Sequence, residues 1–83
     1  MTEDLNWPTF SKHVGEFLGL DSEVVRPETH IYNDLGLDSL GMFSLGMHLI
    51  KRFGIRLPLS EVATIATLDD IYQALARYQG KAV

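Results

Sequence analysis

Ser39-Leu40-Gly41-Met42-Phe43-Ser44-Leu45-Gly46-Met47-His48-Leu49-Ile50-Lys51-Arg52-Phe53 carries more apolar residues than one helical face requires. At about 100° per residue, Met42, Leu45, Leu49 and Phe53 fall on one face, as a core-facing stripe demands. Leu40, Phe43 and Met47 form a second stripe roughly 150° away on the helical wheel. A four-helix domain this small cannot bury both stripes fully. Either the helix is central and mostly enclosed, or the second stripe is an exposed apolar patch that meets other proteins. Methionine suits a surface that adapts to several partners. The remaining sector, Gly41, Ser44, His48, Lys51 and Arg52, is neutral to basic.

The flanking sequence supplies the elements this helix packs against. Trp7, Phe10, Val14, Phe17 and Leu18 make one apolar helical face, with Lys12, His13 and Glu16 turned away from it. Asn6 suits the cap, Pro8 the first turn and Gly19 the stop, while Gly15 weakens the helix slightly. A long connection over 20–37 follows, with Ile31 and Leu35 as anchors to the core. Gly54 ends the central helix, and Ile55 to Leu59 form an apolar loop interrupted by Pro58. Ser60 is placed to cap a short helix carrying Val62, Ala63 and Ile65. Thr67, with Asp70 three residues on, forms an Asp variant of the capping box. The last helix shows Leu68, Ile71, Tyr72, Leu75 and Tyr78 on one face, and Gly80 closes it. No strand-like alternation of useful length appears. The pattern predicts an all-α four-helix bundle in one domain over 1–83, with helices at about 7–18, 39–53, 60–65 and 68–79, a long loop after the first and a short third.

Composition narrows the function classes. There is no cysteine among the 83 residues, so any thiol chemistry needs a thiol from outside the sequence. The longest uncharged run, Ser39 to Ile50, falls short of the roughly 20 residues of a membrane span. The acidic start Met1-Thr2-Glu3-Asp4 lacks the features of a signal peptide, so a cytoplasmic protein with no membrane partner is expected. A net charge of −4 argues against nucleic acid. Residues 1–38 carry −6 and residues 39–83 carry +2, an asymmetry that either orients a partner or reflects two solvated faces.

Asp38-Ser39 stands where a loop enters a helix. Both residue types are preferred at helix starts, because their oxygens accept free backbone N–H groups. Capping is the plain reading of the pair from spacing alone. Nucleophilic catalysis has no support: His48 lies about half a turn around the helix from Ser39, and His13 and His30 show no metal-ligand spacing with it. All three histidines read as surface residues. An exposed hydroxyl at a helix N-terminus does, however, favour a phosphate group, through the free N–H groups and the macrodipole.

Asp34-Leu35-Gly36-Leu37-Asp38-Ser39-Leu40 resembles the phosphopantetheine attachment motif of acyl carrier proteins. The similarity runs on through Val14-Gly15-Glu16-Phe17-Leu18-Gly19, through Phe53, Ile55 and Pro58, and through Thr67-Leu68-Asp69-Asp70, covering roughly residues 10–78. The resemblance implies the acyl-carrier type of four-helix bundle. It also implies a 4'-phosphopantetheine arm, taken from coenzyme A and attached covalently to Ser39 by a phosphopantetheinyl transferase. Asp38 would position the serine for that transfer. The arm's thiol would hold acyl intermediates as thioesters, and Leu40, Phe43 and Met47 would contact partner enzymes. Those partners would be an acyl- or aminoacyl-loading enzyme, a ketosynthase or other acyl-processing enzymes. The protein would be a monomeric carrier and not itself an enzyme, and its initiating Met1 and short tail would fit a freestanding one.

One departure from the family's fatty-acid members stands out. Their second helix is usually acidic, whereas this one has no acid after Asp38 and ends in Lys51-Arg52. Like charges weaken docking to a basic enzyme surface. Polyketide or mixed polyketide–peptide biosynthesis is therefore expected, with Lys51 and Arg52 added to the partner surface. Fatty-acid synthesis and aminoacyl loading are the alternatives within the family. Outside it stand a helical protein-interaction module in which Asp38-Ser39 is only a cap, and a small hydrolase using Ser39.

Overall fold

A computed structural model describes residues 3–79. Helix α1 spans Trp7–Leu18, α2 Ser39–Phe53, α3 Leu59–Val62 and α4 Leu68–Tyr78, with a 3-10 turn at Ser22–Val24. There is no strand among the described residues, only an isolated bridge between His30 and Thr67. The predicted all-α architecture is the observed one.

Local chemistry sets most of the helix ends. The Asn6 side chain accepts the Thr9 N–H at 2.9 Å, and Pro8 stands in the first turn of α1. Gly19 and Gly54 close α1 and α2 in the left-handed conformation, at φ 73° and 63°, where a Cβ would be strained. Thr67 and Asp70 form a reciprocal capping box at the head of α4. Gln79 follows α4 in extended backbone; Gly80, expected as the stop, lies outside the described residues, as does Met1.

The core joins Phe10 and Val14 of α1 to Met42, Leu45, Leu49 and Phe53 of α2 and to Leu68, Ile71 and Leu75 of α4. Trp7, Phe10 and Tyr72 pack as an aromatic trio, with ring centroids 5.1 to 5.5 Å apart. The connection between α1 and α2 is tied down along its length. Ile31 is fully buried, and its N–H donates to the Ala66 carbonyl at 2.8 Å. The Leu68 N–H donates to the Thr29 carbonyl and the Asp69 N–H to the Pro27 carbonyl, so the loop is fastened to the head of α4.

Three expectations need correction. The third helix is one turn, beginning at Leu59, so Ser60 lies inside it and is not its cap. The Pro58 carbonyl accepts the Glu61 N–H at 3.0 Å, which starts the turn early. Tighter i to i−3 bonds at Thr64 and Ile65 then end it, leaving Ile65 buried beyond the helix. Second, His13 is buried and Phe17 is 38% exposed, the reverse of their expected placing. The His13 nitrogens face the carboxylates of Glu3 and Glu16, the latter at 3.0 Å, and its ring stands edge-on to Phe53. Those partners satisfy the imidazole and let it replace an apolar side chain in the seam. Third, Gly15 is a packing requirement: a Cβ there would lie 2.6 Å from the Leu20 carbonyl oxygen.

Candidate functional site

The segment before α2 is folded on itself. The Asp34 carboxylate accepts the His30 N–H at 2.8 Å, the His30 carbonyl accepts the N–H groups of Asp34 and Leu35, and the Leu37 N–H reaches the Ile31 carbonyl. Leu35 and Leu37 are half-buried against the core, and Gly36 turns the chain at φ 68°. This packing delivers Asp38 to the helix start in extended backbone, with φ −98° and ψ −175°.

Asp38, and not Ser39, is the cap. Its Oδ1 accepts the Gly41 N–H at 2.7 Å, and its carbonyl accepts the Met42 N–H at 2.9 Å. Ser39 is the first residue of the helix and is exposed. The two residues that spacing alone left equivalent therefore separate into a structural group and an accessible hydroxyl. Gly41 keeps the entrance open, since a Cβ there would sit 3.3 Å from both Asp38 Oδ1 and Leu37 Cδ2.

This arrangement fits a phosphodiester on Ser39. The hydroxyl is exposed at the positive end of a 15-residue helix, where the first N–H groups lack intrahelical acceptors. When bound, a phosphopantetheine arm supplies a terminal thiol for thioester formation. For such an arm Ser39 would supply the anchoring hydroxyl and the helix N-terminus the electrostatic seat for the phosphate. Among the described residues, no cluster of His, Asp or Glu is arranged to hold a metal ion.

Along α2 the two apolar stripes part company. Met42, Leu45 and Leu49 are at most 2% exposed, whereas Leu40, Phe43 and Met47 are 75%, 37% and 52% exposed. Phe43, Ser44, Met47, His48 and Lys51 line a surface concavity of about 440 Å³. Next to it, Glu3, His48, Lys51 and Arg52 line another of about 450 Å³. Lys51 and Arg52 are exposed in the last turn, where cations complement the helix dipole.

His48 is a residue whose setting the sequence did not disclose. It is half-buried, with its ring 5.1 Å from that of Phe17 and 6.3 Å from that of His13. Burial first, and then the positive charge of Arg52, hold it below the usual imidazole range. Its Nε2 is enclosed with no hydrogen-bond partner among the described residues. A histidine on a helix face gives no signal of this in sequence, because the enclosure comes from α1.

Residues 9–75 match the family model described as a phosphopantetheine attachment site. The chain is 38% identical over 60 residues to an acyl carrier protein of Syntrophobacter fumaroxidans, a match covering 72% of this chain and 74% of that one. It is 34% identical over 68 residues to an acyl carrier protein of Campylobacter lari, covering 82% and 88% of the two chains. An acyl carrier protein of Myxococcus xanthus is 35% identical over 57 residues, 69% of this chain and 72% of its own.

Proposed function

The chain belongs to the acyl carrier protein family, whose members bear a covalently attached 4'-phosphopantetheine, and on that premise we propose that Ser39 is its attachment residue. The observation that carries the proposal is the division at the head of α2: Asp38 takes the cap, and the Ser39 hydroxyl is left exposed at N1. Acyl carrier proteins are carriers rather than catalysts, and they serve phosphopantetheinyl transferases and acyl-processing enzymes. The proposed role is a single carrier domain that holds acyl intermediates as thioesters and presents them through Leu40, Phe43 and Met47, with Lys51 and Arg52 at the far end of the same helix.

The pathway proposed is polyketide or mixed polyketide–peptide biosynthesis. It is supported by an α2 that has no acid after Asp38 and bears two exposed cations in its last turn. The attachment is tested by intact mass after incubation with coenzyme A and a broad-specificity transferase. Addition of one phosphopantetheine, absent in Ser39→Ala, is the expected result. No addition under conditions that load a control carrier refutes the assignment. The pathway is tested by offering the loaded chain to ketosynthases of polyketide and of fatty-acid origin, and faster acyl transfer to the fatty-acid enzyme would reverse the preference.

A further inference from the structure

We infer that the C-terminal half of α2 docks an acidic protein surface, one apolar partner side chain entering the Phe43–Met47 concavity while partner carboxylates pair with Lys51 and Arg52. The inference rests on the carrier role proposed above and adds to it the chemistry of the partner.

Phe43, Met47 and Lys51 are spaced four apart and so form one row along the helix, each step rising about 6 Å. The row passes from apolar to cationic, and His48 and Lys51 line both concavities. One rigid element therefore offers an apolar seat and a positive seat side by side.

The other cations are placed differently: Arg77 is paired, and exposed Lys12, Arg26 and Arg56, though without a carboxylate within 4 Å among the described residues, line neither concavity. Arg77 Nη2 lies 2.7 Å from Glu61 Oε1, and the His13 nitrogens face Glu3 and Glu16. Lys51 and Arg52 have no carboxylate within 4 Å among the described residues. Glu3 lines the basic concavity, yet its carboxylate is directed to His13, and its N–H donates to the Arg52 carbonyl at 3.1 Å. The helix dipole accounts for cations in a last turn. It does not account for a concavity beside them or for the absence of any acid along the helix after Asp38.

An anionic membrane is the poorer occupant. The chain is −4 overall, with eight of its eleven acids in residues 1–38, and two cations fall short of the roughly four to eight that lipid recognition uses.

The test titrates the ¹⁵N-labelled full chain with a synthetic amphipathic helix bearing leucines on one face and glutamates along its rim. A matched helix with lysine replacing glutamate is the control, and each is run at low and high salt. Saturable shifts at Phe43, Met47, His48, Lys51 and Arg52 with the acidic helix alone are expected. High salt and Lys51→Glu/Arg52→Glu should each weaken binding about tenfold, which corresponds to ~1.4 kcal/mol. Lys51→Gln/Arg52→Gln, checked for native helicity, should lie between the wild type and the reversal. Equal or tighter binding of the basic helix, shifts elsewhere on the chain, or indifference to the charge variants overturns the inference. So does a response to phosphatidylglycerol vesicles without one to the acidic helix. Ser39 loading is followed separately by mass. Normal loading with failed titration removes the docking inference alone, and failed loading with normal titration removes the carrier role alone.

Discussion

Replacing Asp38 separates the structural from the functional share of the site. In the fold its Oδ1 accepts the Gly41 N–H at 2.7 Å, and its charge sits at the positive end of α2. Loss of such a cap costs about 1 kcal/mol, and loss of an anion at an exposed N-terminus costs ~0.3–1 kcal/mol at low salt. Asp38→Ala forfeits both, for about 1.5 kcal/mol in all. Asp38→Asn keeps an acceptor and forfeits only the charge, so its cost is about 0.5 kcal/mol. With a urea slope of about 1 kcal/mol/M, the midpoints should fall by roughly 1.5 M and 0.5 M. Ser39→Ala, altering an exposed N1 residue, should stay within about 0.5 kcal/mol of the wild type. Urea unfolding followed by circular dichroism measures all three. Transferase loading of Asp38→Asn, timed by intact mass, then reports what the carboxylate does beyond capping. Slower loading on an intact fold is expected. A wild-type midpoint for Asp38→Ala, or a Ser39→Ala midpoint as low as that of Asp38→Ala, would refute the assignment of the cap. Wild-type loading of Asp38→Asn would refute a positioning role for the charge.

Gly46 and Gly15 should respond oppositely to alanine. At Gly46 a Cβ meets nothing within 4 Å, so Gly46→Ala should gain about 1 kcal/mol of helix propensity, whereas Gly15→Ala drives a Cβ against the Leu20 carbonyl and should lose about 1–3 kcal/mol; urea midpoints decide. Phe43→Ala and Met47→Ala should each cost under about 1 kcal/mol in urea unfolding and yet slow acyl transfer to a partner enzyme, while Leu45→Ala, fully buried, should cost about 2–5 kcal/mol. Asp70 is held below the usual carboxylate range by the N–H groups of Ala66 and Thr67, both 3.0 Å from its Oδ2. Because its pKa is lowered on folding, its contribution is present above the unfolded value near 3.8 and is lost as pH falls through the folded value. The difference in melting temperature between wild type and Asp70→Asn should therefore be full at neutral pH and should shrink below about pH 4; a constant difference would show that the charge is not what the capping box uses.

The parts of the fold that were legible in sequence are those fixed by neighbours along the chain. Met42, Leu45, Leu49 and Phe53 announce a buried face through spacing, and Asn6, Gly19, Gly54 and Thr67 announce helix ends through side-chain chemistry and conformational freedom. Contacts distant in sequence decided the rest. The connection over 20–37 owes its order to bonds with the start of α4, which no local pattern encodes. His13 read as a surface residue because the carboxylate of Glu3, ten positions away, is what makes its burial tolerable. Gly15 read as a weakness because the Leu20 carbonyl that needs the space arrives only after the chain has turned at Gly19. Of the candidate site, the motif was legible, but its internal division was not. Whether Asp38 or Ser39 caps α2 depends on one residue of register, which helix-start propensities do not resolve.

That register has a consequence for how such a carrier is read by another protein. With the cap at Asp38, Ser39 belongs to the helix itself, so its hydroxyl moves with the rigid body that also carries Phe43, Met47, Lys51 and Arg52. Lys51 lies twelve residues on, about 18 Å along the axis. On the proposed attachment at Ser39 and docking at the basic end, a partner that grips that end would fix the depth and direction at which the arm enters it, without touching the arm. Were the serine one residue earlier, in the loop, its hydroxyl would follow the 30–38 segment, and the grip would constrain it less. The buried stripe of α2 holds this rod against α1 and α4, and the exposed stripe is what it has left to offer a partner. Fold stability and presentation of the arm thus depend on opposite faces of one helix. Substitutions on the exposed face can consequently retune partner choice at little cost to the core, which leaves room for an α2 without acids inside a family recognised by its attachment motif.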